Sequence, residues 1–155
     1  MKRILMVLTS ILLSLSILIP NYSFADSKDN NTTSNFSYYN DYPTVIDLGK
    51  LCNYHIYYED YVDEVKFYAY EAKFQDNKHE EEFWEVVEKY DEASKNLGYS
   101  ISNKDNNNHL YYVYYDDLIV SIGTQKIEVA EGETLNYIIV LVGTIEQYSD
   151  INQTI

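Results

Sequence analysis

One stretch, Asn77 to Gly98 (NKHEEEFWEVVEKYDEASKNLG), is the only long segment of this 155-residue chain with a helical period. Phe83, Val86, Val87, Tyr90, Ala93, Ser94 and Leu97 share a stripe about 120° wide, and Glu81, Glu85, Glu88, Glu92 and Asn96 lie opposite it. Asn77 and Glu80 have the spacing of a capping box, Glu80 to Glu82 put negative charge at the positive end of the helix dipole, and Gly98 suits the left-handed position past the last turn. The i,i+4 pairs Glu85–Lys89 and Asp91–Lys95 contribute only about 0.3 kcal/mol each, against roughly 1.5–3 kcal/mol for each large apolar side chain buried. Such a helix is stable only when its one apolar face packs on something, so the rest of the chain must supply a sheet.

The strand signals meet that requirement. Asn53–Tyr58 and Val65–Ala72 are rich in aromatic and β-branched residues and read as a hairpin across an acidic turn at 59–64, with the buried face of the second strand open between Val65, Phe67, Ala69 and Tyr68, Tyr70. Tyr99–Ser102 reads as a short strand followed by a polar loop at 103–108. His109–Tyr115 and Leu118–Gly123 meet across Asp116-Asp117, and a tight turn there opposes Tyr115 to Leu118, Val113 to Val120 and Tyr111 to Ile122 on the core face. Tyr112, Tyr114, Ile119 and Ser121 then share the other face. Leu135–Val142 is almost continuously apolar, as an interior strand covered on both sides should be, with turns at Gly132 and Gly143 on either side. The segment PTVIDLGKLC reads as a short turn or 3₁₀ piece closed by Gly49. The expected class is α+β, a two-layer fold with one long helix on a mainly antiparallel sheet in the order ββαββββ.

The N-terminus carries Lys2 and Arg3, an apolar run from Ile4 to Ile19 that includes Thr9, Ser10, Ser14 and Ser16, and small residues at Ser23 and Ala25. This is the pattern of a secretory signal peptide cut after Ala25, and the run is shorter than the roughly 20 residues of a spanning helix. Residues 1–25 are therefore expected to be a signal peptide, 26–41 a flexible polar tether, 42–145 one domain and 146–155 a frayed tail. Secretion, with loose cell-wall association as its variant and no stable membrane attachment after cleavage, is the expected location. Cleavage takes the formal charge from −14 to −16, because two of the 11 basic residues leave and all 25 acidic ones stay. A chain so acidic is a poor partner for nucleic acid and a better one for basic peptides or proteins. Its single cysteine, Cys52, forbids an intrachain disulfide, so about 130 mature residues must fold on one apolar core.

The element order, with PTVIDLGKL ahead of the first strand and NLGYSIS at the helix exit, resembles small secreted or lipoprotein domains of unassigned function in low-GC Gram-positive bacteria. The resemblance spans about Pro43 to Val142 and implies no activity, cofactor or catalytic residue. The residues themselves point the same way. Cys52-x-x-His55 offers two zinc-type ligands that His79 and His109 could in principle complete, but His79-Glu80-Glu81-Glu82-Phe83 lacks the second histidine of a zincin helix and neither element closes a site. Asn103-x-Asp105-x-Asn107 opens like a calcium loop, but Asn108 replaces the glycine and Tyr114 the closing glutamate. No metal, no cofactor and no catalytic set is expected. The reading is a binding module for an extracellular protein, peptide or glycan, with Tyr112, Tyr114 and Ile119 as its aromatic face and Trp84, just beyond the edge of the helix stripe, as a separate contact. A small extracellular hydrolase, or an inhibitor of one, is the alternative. A concave pocket with converging carboxylates would favour the enzyme, and an aromatic surface would favour binding.

Overall fold

The computed structural model describes residues 35–62, 64–74, 78–99, 102–106, 109–130 and 133–148. The expected signal peptide, Asn77, Gly132 and the last residues of the tail lie outside them. The elements are α1 (Leu48–Cys52), β1 (Ile56–Val62), β2 (Val65–Ala72), α2 (His79–Asn96), β3 (Ser102–Asp105), β4 (Leu110–Tyr115), β5 (Leu118–Ala130) and β6 (Glu133–Thr144), followed by a helical turn at 145–148. The fold is α+β, with six strands in one sheet of order β1-β2-β6-β5-β4-β3. Every neighbouring pair is antiparallel.

The helix α2 buries Phe83, Val86, Val87, Tyr90, Ala93 and Ser94, which are the stripe residues save Leu97. Its C-terminus closes as a Schellman motif: the N–H of Gly98 donates to Lys95 O at 2.9 Å and that of Tyr99 to Ser94 O at 3.1 Å. Gly98 has φ +92°, where a side chain would be strained. The N-terminus differs from the capping-box expectation. Lys78 is the N-cap and makes no side-chain cap bond, so the acids Glu80, Glu81 and Glu82 in the first turn are what meets the helix dipole. Of the two surface pairs expected, Lys95 reaches Asp91 at 2.6 Å.

β6 lies between β2 and β5, with Asn136 to Val142 all buried. Across Asp116-Asp117 the register is Tyr115↔Leu118, Val113↔Val120 and Tyr111↔Ile122, with Tyr114↔Ile119 and Tyr112↔Ser121 between them. Two-residue turns leave little freedom in register, which is why this hairpin was readable.

Several boundaries move. β1 continues to Val62, which pairs with Val65, so the acidic residues Glu59 and Asp60 sit in a strand, and Glu64 has φ 69°. β3 occupies Ser102–Asp105, which places Asn103 and Asp105 in a ladder against Tyr112 and Leu110 rather than in an ion-wrapping loop. α1 is one short α-helix. Asp47 caps it, accepting from Lys50 N at 3.2 Å, and Asn53 ends it at φ 60°. Gly49 lies inside that helix, and a Cβ there would collide with the Tyr70 ring. It is a close-approach glycine, not a terminator. Gly143 likewise lies inside β6, with Val65 Cγ2 and Gln147 Oε1 each 3.0 Å from where a Cβ would stand.

The sequence assigns Tyr38 and Tyr39 to a tether, yet Tyr39 is buried and stacks on Tyr68 at 4.2 Å. The packed domain therefore includes Tyr39 and reaches back beyond residue 42. At the other end, Tyr148 is buried and Gln147 Oε1 accepts from Thr144 N at 2.7 Å, so the part of the tail up to 148 is held.

β2 is buried on both faces because the sheet carries an apolar cluster on each. Tyr68, Tyr70, Tyr111, Val113, Ile122 and Val140 pack with α2 and α1 on one face. Phe67, Ala69, Tyr112, Ile119, Ile139 and Tyr148 pack on the other. The helix-side interior is wired by hydroxyls. Tyr39 and Tyr70 meet at 2.9 Å, Tyr90 donates to Ile46 O at 3.0 Å, Ser94 and Tyr115 meet at 2.6 Å, and Tyr111 donates to Asp91 at 2.8 Å. Each of these phenols satisfies its polar end inside the protein, which is what a buried tyrosine needs.

Candidate functional site

β1 is a terminal strand of the sheet, and six of its seven residues are exposed. It also holds the large exposed apolar side chains of the described residues: Ile56 at 47%, Tyr57 at 57%, Tyr58 at 37% and Tyr61 at 53%. An exposed aromatic edge of this length is open to pairing with another chain unless charges or a bulge limit it.

A β-bulge sets the pattern. Ile56 opposes Tyr70 and Tyr58 opposes Ala69, so Tyr57 is the extra residue. The bulge turns Tyr57 and Tyr58 to the same side of the sheet, where Tyr57 lies 5.1 Å from the Tyr137 ring and Tyr58 6.1 Å from Phe67. Tyr61 points to the opposite side. There Lys66 Nζ stands 4.6 Å over its ring, held by Asp41 at 3.3 Å and Glu59 at 3.5 Å. Burial works against the charge on Lys66, but those two carboxylates outweigh it and raise the ammonium above its ordinary value.

Asp60 is the other organised group. Tyr58 Oη donates to it at 2.6 Å and the backbone N–H of Tyr61 at 2.8 Å. These bonds, that from Tyr58 first, hold the Asp60 carboxyl below its usual range, and the same bond raises the Tyr58 phenol. At the start of the strand, Asn53, Tyr54, His55, Ile56, Tyr57, Glu71 and Lys73 line an open cleft of about 400 Å³. A second shallow cleft, about 370 Å³, shares Tyr54 and Lys73 with it and adds Cys52, Glu82, Glu85 and Lys89.

The expected binding residues lie elsewhere. Tyr112, Tyr114 and Ile119 do come together on one face, but at 7%, 9% and 3% exposure they are packed rather than open. Among the described residues, Tyr148 covers part of that face, its Oη 3.5 Å from Ser121 Oγ. Among the described residues, Tyr112 Oη is buried with no hydrogen-bond partner, and burial pushes its ionisation up. Trp84 is half-buried on the helix side, with its ring 5.0 Å from Phe83 and 5.8 Å from Lys104 Nζ. It does not join the other three.

Nothing here assembles a metal centre: among the described residues no three His, Cys, Asp or Glu side chains converge. Cys52 is half-buried, and burial raises its thiol more than Lys89 lowers it. Among the described residues no helix is long and apolar enough to cross a membrane.

Sequence reasoning put Tyr57 and Tyr58 in a strand without placing that strand at the edge of the sheet, and it missed Tyr61 because it ended the strand at residue 58. One signal was present, since Val62 and Val65 flank two acidic residues in the way that strand ends flank a tight turn. Comparison with protein-family models, curated proteins and solved structures finds no match, so this surface is read from its own chemistry.

Proposed function

We propose that the chain is an exported binding module whose contact surface is the aromatic edge strand β1. In this reading the long helix forms one layer and the sheet the other, and both serve to hold β1 rigid and presented. The observation that carries it is the placing of Ile56, Tyr57, Tyr58 and Tyr61 in one terminal strand, exposed, while the other aromatic strands are buried. Tyrosine suits this role because it supplies a large contact area, a polar tip and few rotatable bonds. The clefts beside the strand are open and shallow, which fits a surface for a macromolecule better than a pocket for a small substrate.

The test presents extracellular proteins and glycans to the purified protein and to the triple variant Tyr57→Ser, Tyr58→Ser, Tyr61→Ser. The expected result is a partner held by the parent and lost by the variant, with circular dichroism unchanged. A partner held equally by both would move the surface away from β1.

A further inference from the structure

We infer that the partner is an extended basic peptide segment that adds to β1 as a seventh strand. This rests on the reading of β1 as the binding surface and goes beyond it in naming the chemistry and geometry of the occupant.

The backbone is arranged for it. Val62 and Val65 close a two-residue hairpin, so they form the hydrogen-bonded pair, and the next pair, Tyr61 and Lys66, is the non-bonded one. Tyr61 and, two residues back, Glu59 therefore aim their N–H and C=O groups away from β2. The Tyr61 N–H is occupied, but by the Asp60 carboxylate at 2.8 Å. That oxygen sits where the carbonyl of an added strand would accept. An incoming strand replaces it and frees Asp60 to meet a cation.

The charges choose the occupant. β1 carries Glu59 and Asp60 and no basic residue, with Glu64 exposed in the turn that follows it and Asp41 beside it. The cation on its helix side, Lys66, is already held by Asp41 and Glu59. A second copy pairing antiparallel about the centre of β1 would set Glu59 against Glu59, and like charges directly opposite are destabilising. Lysine or arginine opposite Glu59 and Asp60 is favourable, and the exposed faces of Tyr57 and Tyr61 accept cations as well. Backbone pairing supplies affinity and alternate side chains supply selectivity, as in other strand-addition complexes.

The experiment titrates the purified protein with a short peptide alternating lysine and valine, with its glutamate-for-lysine twin, and with a lysine peptide in which alternate residues are proline. Hydrogen exchange is followed at the Glu59 and Tyr61 amides. The lysine–valine peptide should bind and slow exchange at both amides, and the double variant Glu59→Gln, Asp60→Asn should weaken it about tenfold or more, while the acidic and proline peptides bind at least tenfold more weakly. Equal binding of the acidic twin, or binding that leaves both amides unprotected, overturns the inference. A neutral peptide or glycan bound at β1 through the tyrosines would overturn this inference alone, whereas a partner indifferent to those tyrosines would overturn the underlying assignment. Concentration-dependent dimerisation that protects the same amides would replace the peptide by a second copy.

Discussion

The two edges of the sheet are built to opposite specifications. β3 has four residues, none of them apolar, with Lys104 exposed at its middle and Trp84 and Glu88 of α2 close by. β1 has seven, rich in tyrosine and almost entirely exposed. Short, charged edges resist pairing with other chains, and long aromatic ones invite it. The difference teaches that exposure of β1 is not a general failure to protect edges, because the same molecule protects the other one. The acidic pair Glu59-Asp60 then acts as a filter, deterring self-pairing while leaving the strand open to cations.

The comparison presupposes an interior that holds both edges in place, and the largest expected effect lies there. Tyr90 is fully buried and donates to Ile46 O, so Tyr90→Asp leaves an unpaired charge and a void, and the loss should be about 5 kcal/mol in urea unfolding. Glu92→Gln, on the outward face of the same helix, should change stability by less than about 0.5 kcal/mol. Equal effects would mean the helix does not brace the sheet.

Next comes the face first marked by sequence as the binding surface. The double variant Tyr112→Ser, Tyr114→Ser should cost about 3–4 kcal/mol, because both rings are packed. An unchanged melting temperature would return that face to the list of open surfaces and weaken the case for β1.

That pair also shows what was legible in the sequence and what was not. The β4–β5 register, the buried stripe of α2 and the interior position of β6 were readable, since a tight turn, a 3.6-residue period and a continuous apolar run are local signals. Burial of Tyr112 was not. Alternation says that two faces exist, whereas what lies over the second face depends on residues far away in the chain, such as Tyr148. Edge position is equally non-local. IYYEDYV looks the same whether its outer side is paired or bare, and only the order β1-β2-β6-β5-β4-β3 makes it bare.

A pH scan probes the hydroxyl-wired interior without mutation. Burial pushes the Tyr115 phenol from 10.0 to about 12, so its proton is held more tightly in the folded state. The sign follows: the stability it contributes is complete below pH 10 and is lost as the pH rises through about 12, amounting to about 3 kcal/mol at most. The part of the phenolate absorbance that belongs to the buried tyrosines should appear together with the loss of circular dichroism, after that of the exposed ones. Full ionisation of the tyrosines with the fold intact would show an interior far wetter than described.

The smallest expected effects concern the edges. Lys104→Ala on β3 and Tyr61→Ser on β1 should each shift stability by no more than about 0.5–1 kcal/mol, since both side chains are exposed and their ion and ring contacts are at the surface. What separates them is association, and binding at β1 should be lost with Tyr61→Ser and kept with Lys104→Ala. A large destabilisation by Tyr61→Ser would make that ring a structural one.

The claim that β1 holds the exposed tyrosines of the described residues can be tested in one experiment, by brief nitration of the folded protein with tetranitromethane and mapping of the modified residues by mass spectrometry. Tyr57 and Tyr61 should be modified first, and Tyr90, Tyr111, Tyr112, Tyr114 and Tyr115 should remain unmodified until the protein is unfolded. Modification of Tyr112 and Tyr114 as fast as Tyr57 and Tyr61 would contradict the account and place the open aromatic surface on the face of the sheet instead of its edge.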